Sequence, residues 1–147
     1  KGIATPEDAQ IAVKNGIDVV YVSNHGGRQL DHGLGGADIL PEIASAIDGK
    51  AKVIFDGGVM RGTDVIKAIA LGADAVGLGR LQGIAASAGG ENGLIRMLEI
   101  LESEIQISLR LLGVNTFADL DHSYLRTCSP ITDPNIFSPF PLINEGY

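Results

Sequence analysis

The sequence predicts an α/β fold built on parallel strands. Three observations carry that prediction. Helix-like and strand-like runs alternate in the order αβαβαβα. Each strand-like run ends in polar or glycine-rich sequence: "SNHGGR", "DGG" and "GR". A faint repeat links "AVKNGIDVVYVS" to "AIALGADAVGLG", which share Ala, Gly, Asp and Val at matching offsets 56 residues apart (68 − 12). Two successive βα units of a barrel produce such a repeat. Three strands cannot close a barrel, which needs eight. The chain is therefore either a small doubly wound domain or half of a (β/α) barrel.

The elements follow in order. "TPEDAQIAVKNG" reads as a helix: Thr5 caps, Pro6 suits the first turn, Glu7 and Asp8 suit the positive end, and Gly16 closes it. "IDVVYVS" reads as a strand buried on both faces, because its apolar run is continuous. "GADILPEIASAID" is helical despite Pro41, and "AKVIFDGG" is a second buried strand. "GTDVIKAIALG" is a helix stopped by Gly72, and "ADAVGLGR" is the third strand. Leu94, Met97, Leu98, Leu101, Ile105, Leu109 and Leu112 recur at helical spacing and predict one long amphipathic helix over residues 91–112. The final "SPITDPNIFSPFPLINEGY" is Pro-rich and reads as an extended tail that packs on another surface. The domain reading is a half-barrel over residues 1–113 and a tail over 114–147.

Composition bounds the function. The 147 residues are 45% hydrophobic, enough for one core. A net charge of −7 without any basic block argues against a nucleic-acid partner. Cys128 is the only cysteine, so no intramolecular disulfide forms, and a reducing, cytoplasmic setting is expected. No apolar run reaches the ~20 residues of a membrane span. The start, "KGIATPEDAQ", lacks both Met and a signal-peptide pattern and suggests a fragment or processed chain.

The chemistry is expected at the carboxyl ends of the strands. In "DGGVMRGTD", Gly57 and Gly58 let backbone amides approach an anion, and the helix that follows favours negative charge. Asp56 precedes them, and Gly79 with Arg80 ends the next strand, where Arg80 offers a bidentate phosphate contact. His25 is a candidate general base and Arg28 a candidate carboxylate clamp, close enough on one turn to face one small substrate. The bland readings are ordinary βα turns, a structural His and a solvated Arg; the convergence of all three strand ends favours a site. Lys1, taken alone, reads as a solvated terminal side chain. His32, His122 and Cys128 read as loop residues, and no spacing suggests a metal site.

The stretches "KGI", "VSNHGGRQLD" and "DGGVMRGTDVIKAIALGADAVGLGR", with the long helix after them, strongly resemble the FMN-dependent α-hydroxy-acid oxidase and dehydrogenase family. That family includes glycolate oxidase, lactate oxidase, mandelate dehydrogenase and flavocytochrome b2. The resemblance implies a (β/α)8 TIM barrel, of which this chain is the C-terminal half carrying strands 6 to 8. It implies FMN as cofactor and oxidation of a 2-hydroxy acid to a 2-oxo acid. His25 resembles the catalytic base and Arg28 the arginine that binds the substrate carboxylate. Lys1 resembles the lysine beside the flavin N1 and O2 atoms, and Ser23 a flavin contact. Asp56, Gly57, Gly58, Gly79 and Arg80 resemble the ribityl and phosphate site. The implied partners are the N-terminal half of the same enzyme and further copies in a homo-oligomer, a tetramer or octamer. That half carries a tyrosine pair around the substrate and an Asp that pairs with the catalytic His. Two departures stand out: Met60 where the family commonly has Arg, and Leu81 where it usually has Pro. The alternatives are another FMN or phosphate barrel, such as a type 2 isopentenyl-diphosphate isomerase or inosine-monophosphate dehydrogenase relative, and a degenerate, non-catalytic half-barrel.

Overall fold

Thr5 opens the first helix, α1 (Pro6–Lys14), by accepting the Asp8 amide at 3.2 Å. The structure, a computed structural model, describes residues 1–30 and 32–128. The predicted tail segment from Ser129 to Tyr147 lies outside the described residues. After α1 come β1 (Val19–Val22), α2 (Gly36–Ile47), β2 (Lys52–Asp56), α3 (Gly62–Ala70), β3 (Ala75–Gly77) and α4 (Arg80–Leu112). The strands form one parallel sheet in the order β1-β2-β3. Ile3 bridges Val22 in parallel on the free side of β1, so the "KGI" segment lies at the sheet edge.

The repeat has a structural basis. Gly16 and Gly72 both take left-handed backbone, with φ of 78° and 104°, where a side chain would be strained. Their turns make matching hydrogen bonds: Ile17 N to the Ala12 carbonyl at 3.1 Å, and Ala73 N to the Ala68 carbonyl at 3.0 Å. Each turn leads an aspartate, Asp18 or Asp74, into the next strand. Helix α2 does run through Pro41, which costs the Ala37 carbonyl its helical donor.

Within this chain β1 and β2 are fully buried on one face and partly buried on the other. Val20, Val22, Val53 and Phe55 are 0–3% exposed and join Leu40, Ile43 and Ile47 of α2 in the core. Each such side chain contributes roughly 1.5–3 kcal/mol by leaving water. The intervening Tyr21, Ile54 and Asp56 stay partly exposed on the opposite face. A continuous apolar run could not reveal this alternation.

The last helix differs from its prediction. It starts at Arg80, not near Glu91, and breaks at Gly89 and Gly90 (φ 56°, ψ −135°). That conformation is open essentially to glycine alone. The piece over 80–88 is rich in Ala and Gly and shows no apolar stripe, so periodicity missed it. Gly93 lets the second piece approach the first, since a Cβ there would strike the Ala85 carbonyl. On the second piece Met97 and Leu101 are buried, whereas Leu98 is 55% exposed. Beyond Gly113, Val114 and Leu120 pack on Ile66 and Ala70 of α3. Among the described residues, no helix is long and apolar enough to cross a membrane.

Candidate functional site

The carboxyl ends of the strands meet around one cavity of about 650 Å³. His25, Arg28, Asp56, Gly57, Gly58, Gly79 and Arg80 all line it. Its size falls within the roughly 300–1,000 Å³ typical of small-molecule and cofactor sites. Lys1 and Ser23 do not line it; Lys1 pairs with the Asp56 that does, and Ser23 accepts from Lys1. The structure thus gathers seven of the nine proposed residues on one cavity wall and sets Lys1 and Ser23 behind it. His32 and His122 are exposed outside the lining, and Cys128 is exposed. No cluster of metal-ligating side chains occurs among the described residues.

The loop after β1 is shaped by local bonds. His25 has φ 56°, and Gly26 and Gly27 follow with 67° and 71°. Left-handed backbone is uncommon for non-glycine residues, although His accepts it more readily than most. Ser23 holds the turn by accepting the His25 amide at 3.1 Å. Asn24 accepts the Gly27 amide at 3.2 Å and donates to the Leu34 carbonyl at 3.1 Å. These bonds turn His25 and Arg28 toward the cavity; both side chains keep access to solvent.

Beside this loop lies a polar cluster on the open face of the sheet. The Lys1 ammonium sits 2.5 Å from Asp56 Oδ2, 3.1 Å from Ser23 Oγ and 3.8 Å above the centre of the Tyr21 ring. Burial pushes the Asp56 carboxyl up. Hydrogen bonds from Lys1, Ser23 and Tyr21, with the charge of Lys1, outweigh that and hold it below its ordinary 3.8. Burial and the Asp56 charge push the Tyr21 phenol above 10.0, against the pull of Lys1. Asp56 is therefore an anion and Tyr21 a neutral donor at neutral pH.

The glycine loop behaves differently from its sequence reading. The amides at the start of α3 already have acceptors within the protein. Met60 N and Arg61 N donate to Asp64 Oδ2 at 3.1 and 3.0 Å. Gly62 N donates to Glu104 Oε2 at 2.6 Å, and Arg61 Nε donates to Glu104 Oε1 at 2.8 Å. The Arg61 hydrogen bond is the main reason Glu104 stays below its ordinary 4.5, against a smaller upward push from burial. The Asp64 and Glu104 carboxylates thus already occupy the α3 terminus. The amides of Gly57, Gly58 and Gly79 have no acceptor among the described residues. A Cβ at any of the three would meet no protein atom within 4 Å and would stand in open space at the cavity wall. α4 starts at the same wall with no side-chain cap. These glycine amides, the start of α4 and Arg80 form a cradle suited to a phosphate ester. By size and donor type, the cavity fits FMN.

Sequence reasoning assigned no site role to Gly26, Val59 or Gly77, which also line the cavity, as does Met60, the position singled out as a departure. Met60, 7% exposed, gives it an apolar patch where the resemblance implied a cation. Tyr21 read as core; its aromatic ring inside a β-branched run was the only hint. Glu104 lies 42 residues from the amide it caps, beyond any local motif.

Residues 1–127 match the family model described as FMN-dependent dehydrogenase. The chain is 46% identical over 127 residues to an L-lactate oxidase of Nostoc sp., covering 85% of this chain and 34% of that protein. It is 43% identical over 125 residues to a 2-hydroxyacid oxidase of Dictyostelium discoideum, covering 85% of this chain and 32% of the relative. The crystal structure of mandelate oxidase superposes with a TM-score of 0.78 at 44% identity, over 80% of this chain and 34% of that one. The chain thus spans about a third of the length of the relatives it matches, and its parallel α/β sheet corresponds to part of the mandelate oxidase barrel. Sequence match and superposition agree: this chain belongs to the FMN-dependent dehydrogenase family.

Proposed function

We propose that this chain supplies the phosphate cradle, the base and the carboxylate clamp of an FMN-dependent 2-hydroxy-acid oxidase or dehydrogenase. One observation carries the reading: His25, Arg28, Gly57, Gly58, Gly79 and Arg80, drawn from three strand ends, line one cavity. In this reading the chain is the C-terminal half of a (β/α)8 barrel, with strands 6 to 8, and it works with the N-terminal half of the same enzyme. The glycine amides and Arg80 hold the FMN phosphate, and Asp56 accepts from the ribityl chain. Lys1 places positive charge beside the ring. FMN, when bound, supplies the acceptor for the two electrons of the oxidation.

The residues of this chain do the rest. Arg28 pairs with the substrate carboxylate and fixes which end of the molecule enters. The His25 imidazole takes a proton from the substrate as the 2-hydroxy carbon becomes a 2-oxo carbon. Its place on a loop pinned by Ser23 and Asn24 keeps the base in reach of the clamp's ligand.

The test is anaerobic mixing of the intact, FMN-loaded protein with L-lactate, glycolate and mandelate. Bleaching of the flavin absorbance by at least one acid is expected. A flavin that stays oxidised with every 2-hydroxy acid tried would sink the proposal.

A further inference from the structure

Tyr21 grips the Lys1 segment twice. Its carbonyl accepts the Gly2 and Ile3 amides at 3.1 and 3.2 Å, and its ring lies under the Lys1 ammonium at 3.8 Å. The phenol then reaches across the sheet. It lies close enough to Asp56 for that carboxylate's charge to help burial raise its pKa, and a Cβ at Gly77 on β3 would collide with its hydroxyl. Gly77 is thus required by Tyr21, and the two together keep the ring flat on the open face.

The ammonium itself is half-exposed, with 49% of the Lys1 side chain accessible. A lysine that free reorients readily unless several weak contacts agree. Here three do: the ring face, the Ser23 hydroxyl and the Asp56 carboxylate. Asp56 alone would leave the ammonium a wide arc about one oxygen. The ring closes that arc from below, since a cation over an aromatic face is drawn toward its centre.

We infer that Tyr21 is a positioning residue for Lys1, holding its ammonium against Asp56, a residue of the cavity wall. The functional part of this inference rests on the proposal that the cavity holds FMN with Lys1 beside its ring. Tyr21 touches neither substrate nor cofactor in this role; it acts through Lys1.

The experiment uses the intact protein and two readouts besides turnover. The first needs no flavin. Lysines are reductively methylated with ¹³C, and the Lys1 methyl signal, assigned with Lys1→Met, is followed by NMR. Ring current from Tyr21 should shift that signal upfield; Tyr21→Leu should abolish the shift and Tyr21→Phe should keep it. The second uses the FMN-loaded protein and sulfite, whose addition to an oxidised flavin leaves negative charge on the ring. Tyr21→Leu should weaken sulfite binding about fivefold, the size of one exposed cation–π contact, and Tyr21→Phe by less. In the Lys1→Met background Tyr21→Leu should change sulfite binding no further. A methyl shift unaffected by Tyr21→Leu overturns the inference. So does an equal loss of sulfite affinity with and without Lys1. A protein that shows the methyl shift but takes up no FMN overturns the cavity reading instead and leaves the Tyr21–Lys1 contact standing.

Discussion

Val20, Val22, Val53 and Phe55 point to the helices, and Tyr21, Ile54 and Asp56, their neighbours in sequence, point the other way. The first set is sealed in one apolar cluster with α1, α2 and α3. The second carries the ring, the carboxylate and the ion pair to Lys1. The same two strands therefore hold two different arrangements, offset by one residue. On the helix side, shape and area decide the energy. On the open side, the decisive quantity is where charges sit, and partial exposure limits what each contact adds to stability. Changes on the helix side should unfold the protein. Changes on the open side or at its loop ends should leave the fold and alter the chemistry.

The sharpest separation is expected at the end of β1. His25→Ala removes the proposed base and leaves the hydrogen bonds of its loop in place, because those bonds use backbone groups and the Ser23 and Asn24 side chains. In the intact FMN-loaded protein, kcat should fall about 10²- to 10⁴-fold, the usual contribution of a general base. FMN content and melting temperature should stay as they were. Loss of flavin from the variant would assign His25 a structural role and blur the contrast between the two sides.

Phe55→Ala tests the other side. Phe55 is 3% exposed and packs against Gly36, where an added Cβ would lie 3.0 Å from its ring. Truncation leaves a cavity under α2 and should cost about 3–5 kcal/mol, read from denaturant unfolding. If the variant unfolds like the parent yet loses activity, the helix side is not merely structural.

The two sides also differ in how far the sequence discloses them. Helix α1 is legible because its signals are local: Pro6 and Glu7 lie in its first turn, and Thr5 and Gly16 flank it. The turns at Gly16 and Gly72 are legible for the same reason. Sidedness is not, because "VVYV" is apolar at every position and either register buries it equally well. The cradle glycines and His25 were visible as residue types at strand ends. The capping of α3 by Glu104 was not, and neither was the Lys1–Asp56 pair, since they join residues 42 and 55 apart. Only the packing of α4 on α3 and of the "KGI" edge on β1 creates those neighbours.

A smaller effect is expected at Arg28, on the exposed part of the loop. Arg28→Lys keeps the charge and loses the planar fork that matches a carboxylate. The apparent KM for the 2-hydroxy acid should rise about tenfold with kcat little changed, the pattern of lost ground-state binding. An unchanged KM would remove Arg28 from the clamp role and leave the carboxylate to residues outside this chain.

The smallest expected effect compares two carboxylates at opposite ends of the sheet. Asp56 and Asp74 are both held below their ordinary 3.8, although burial pushes each of them up. For Asp74 the opposing bonds come from Lys52 at 2.7 Å and the Val53 amide at 2.8 Å. A carboxyl lowered by folding adds stability that is fully present above its unfolded value. That stability is lost as pH falls from about 3.9 through the folded value. Both residues should therefore steepen acid unfolding below pH ~4, and Asp56→Asn or Asp74→Asn should each flatten it, as read from unfolding free energy against pH. Only Asp56 also faces a phenol. Its charge raises Tyr21, so Asp56→Asn should lower the Tyr21 titration in an ultraviolet pH difference spectrum, and Asp74→Asn should leave it unmoved. A phenol indifferent to Asp56→Asn would mean that the open-face cluster is a set of separate contacts. A phenol that moves with Asp56 ties Lys1, Tyr21 and Asp56 into one electrostatic unit, the feature that sets this face apart from the core behind it.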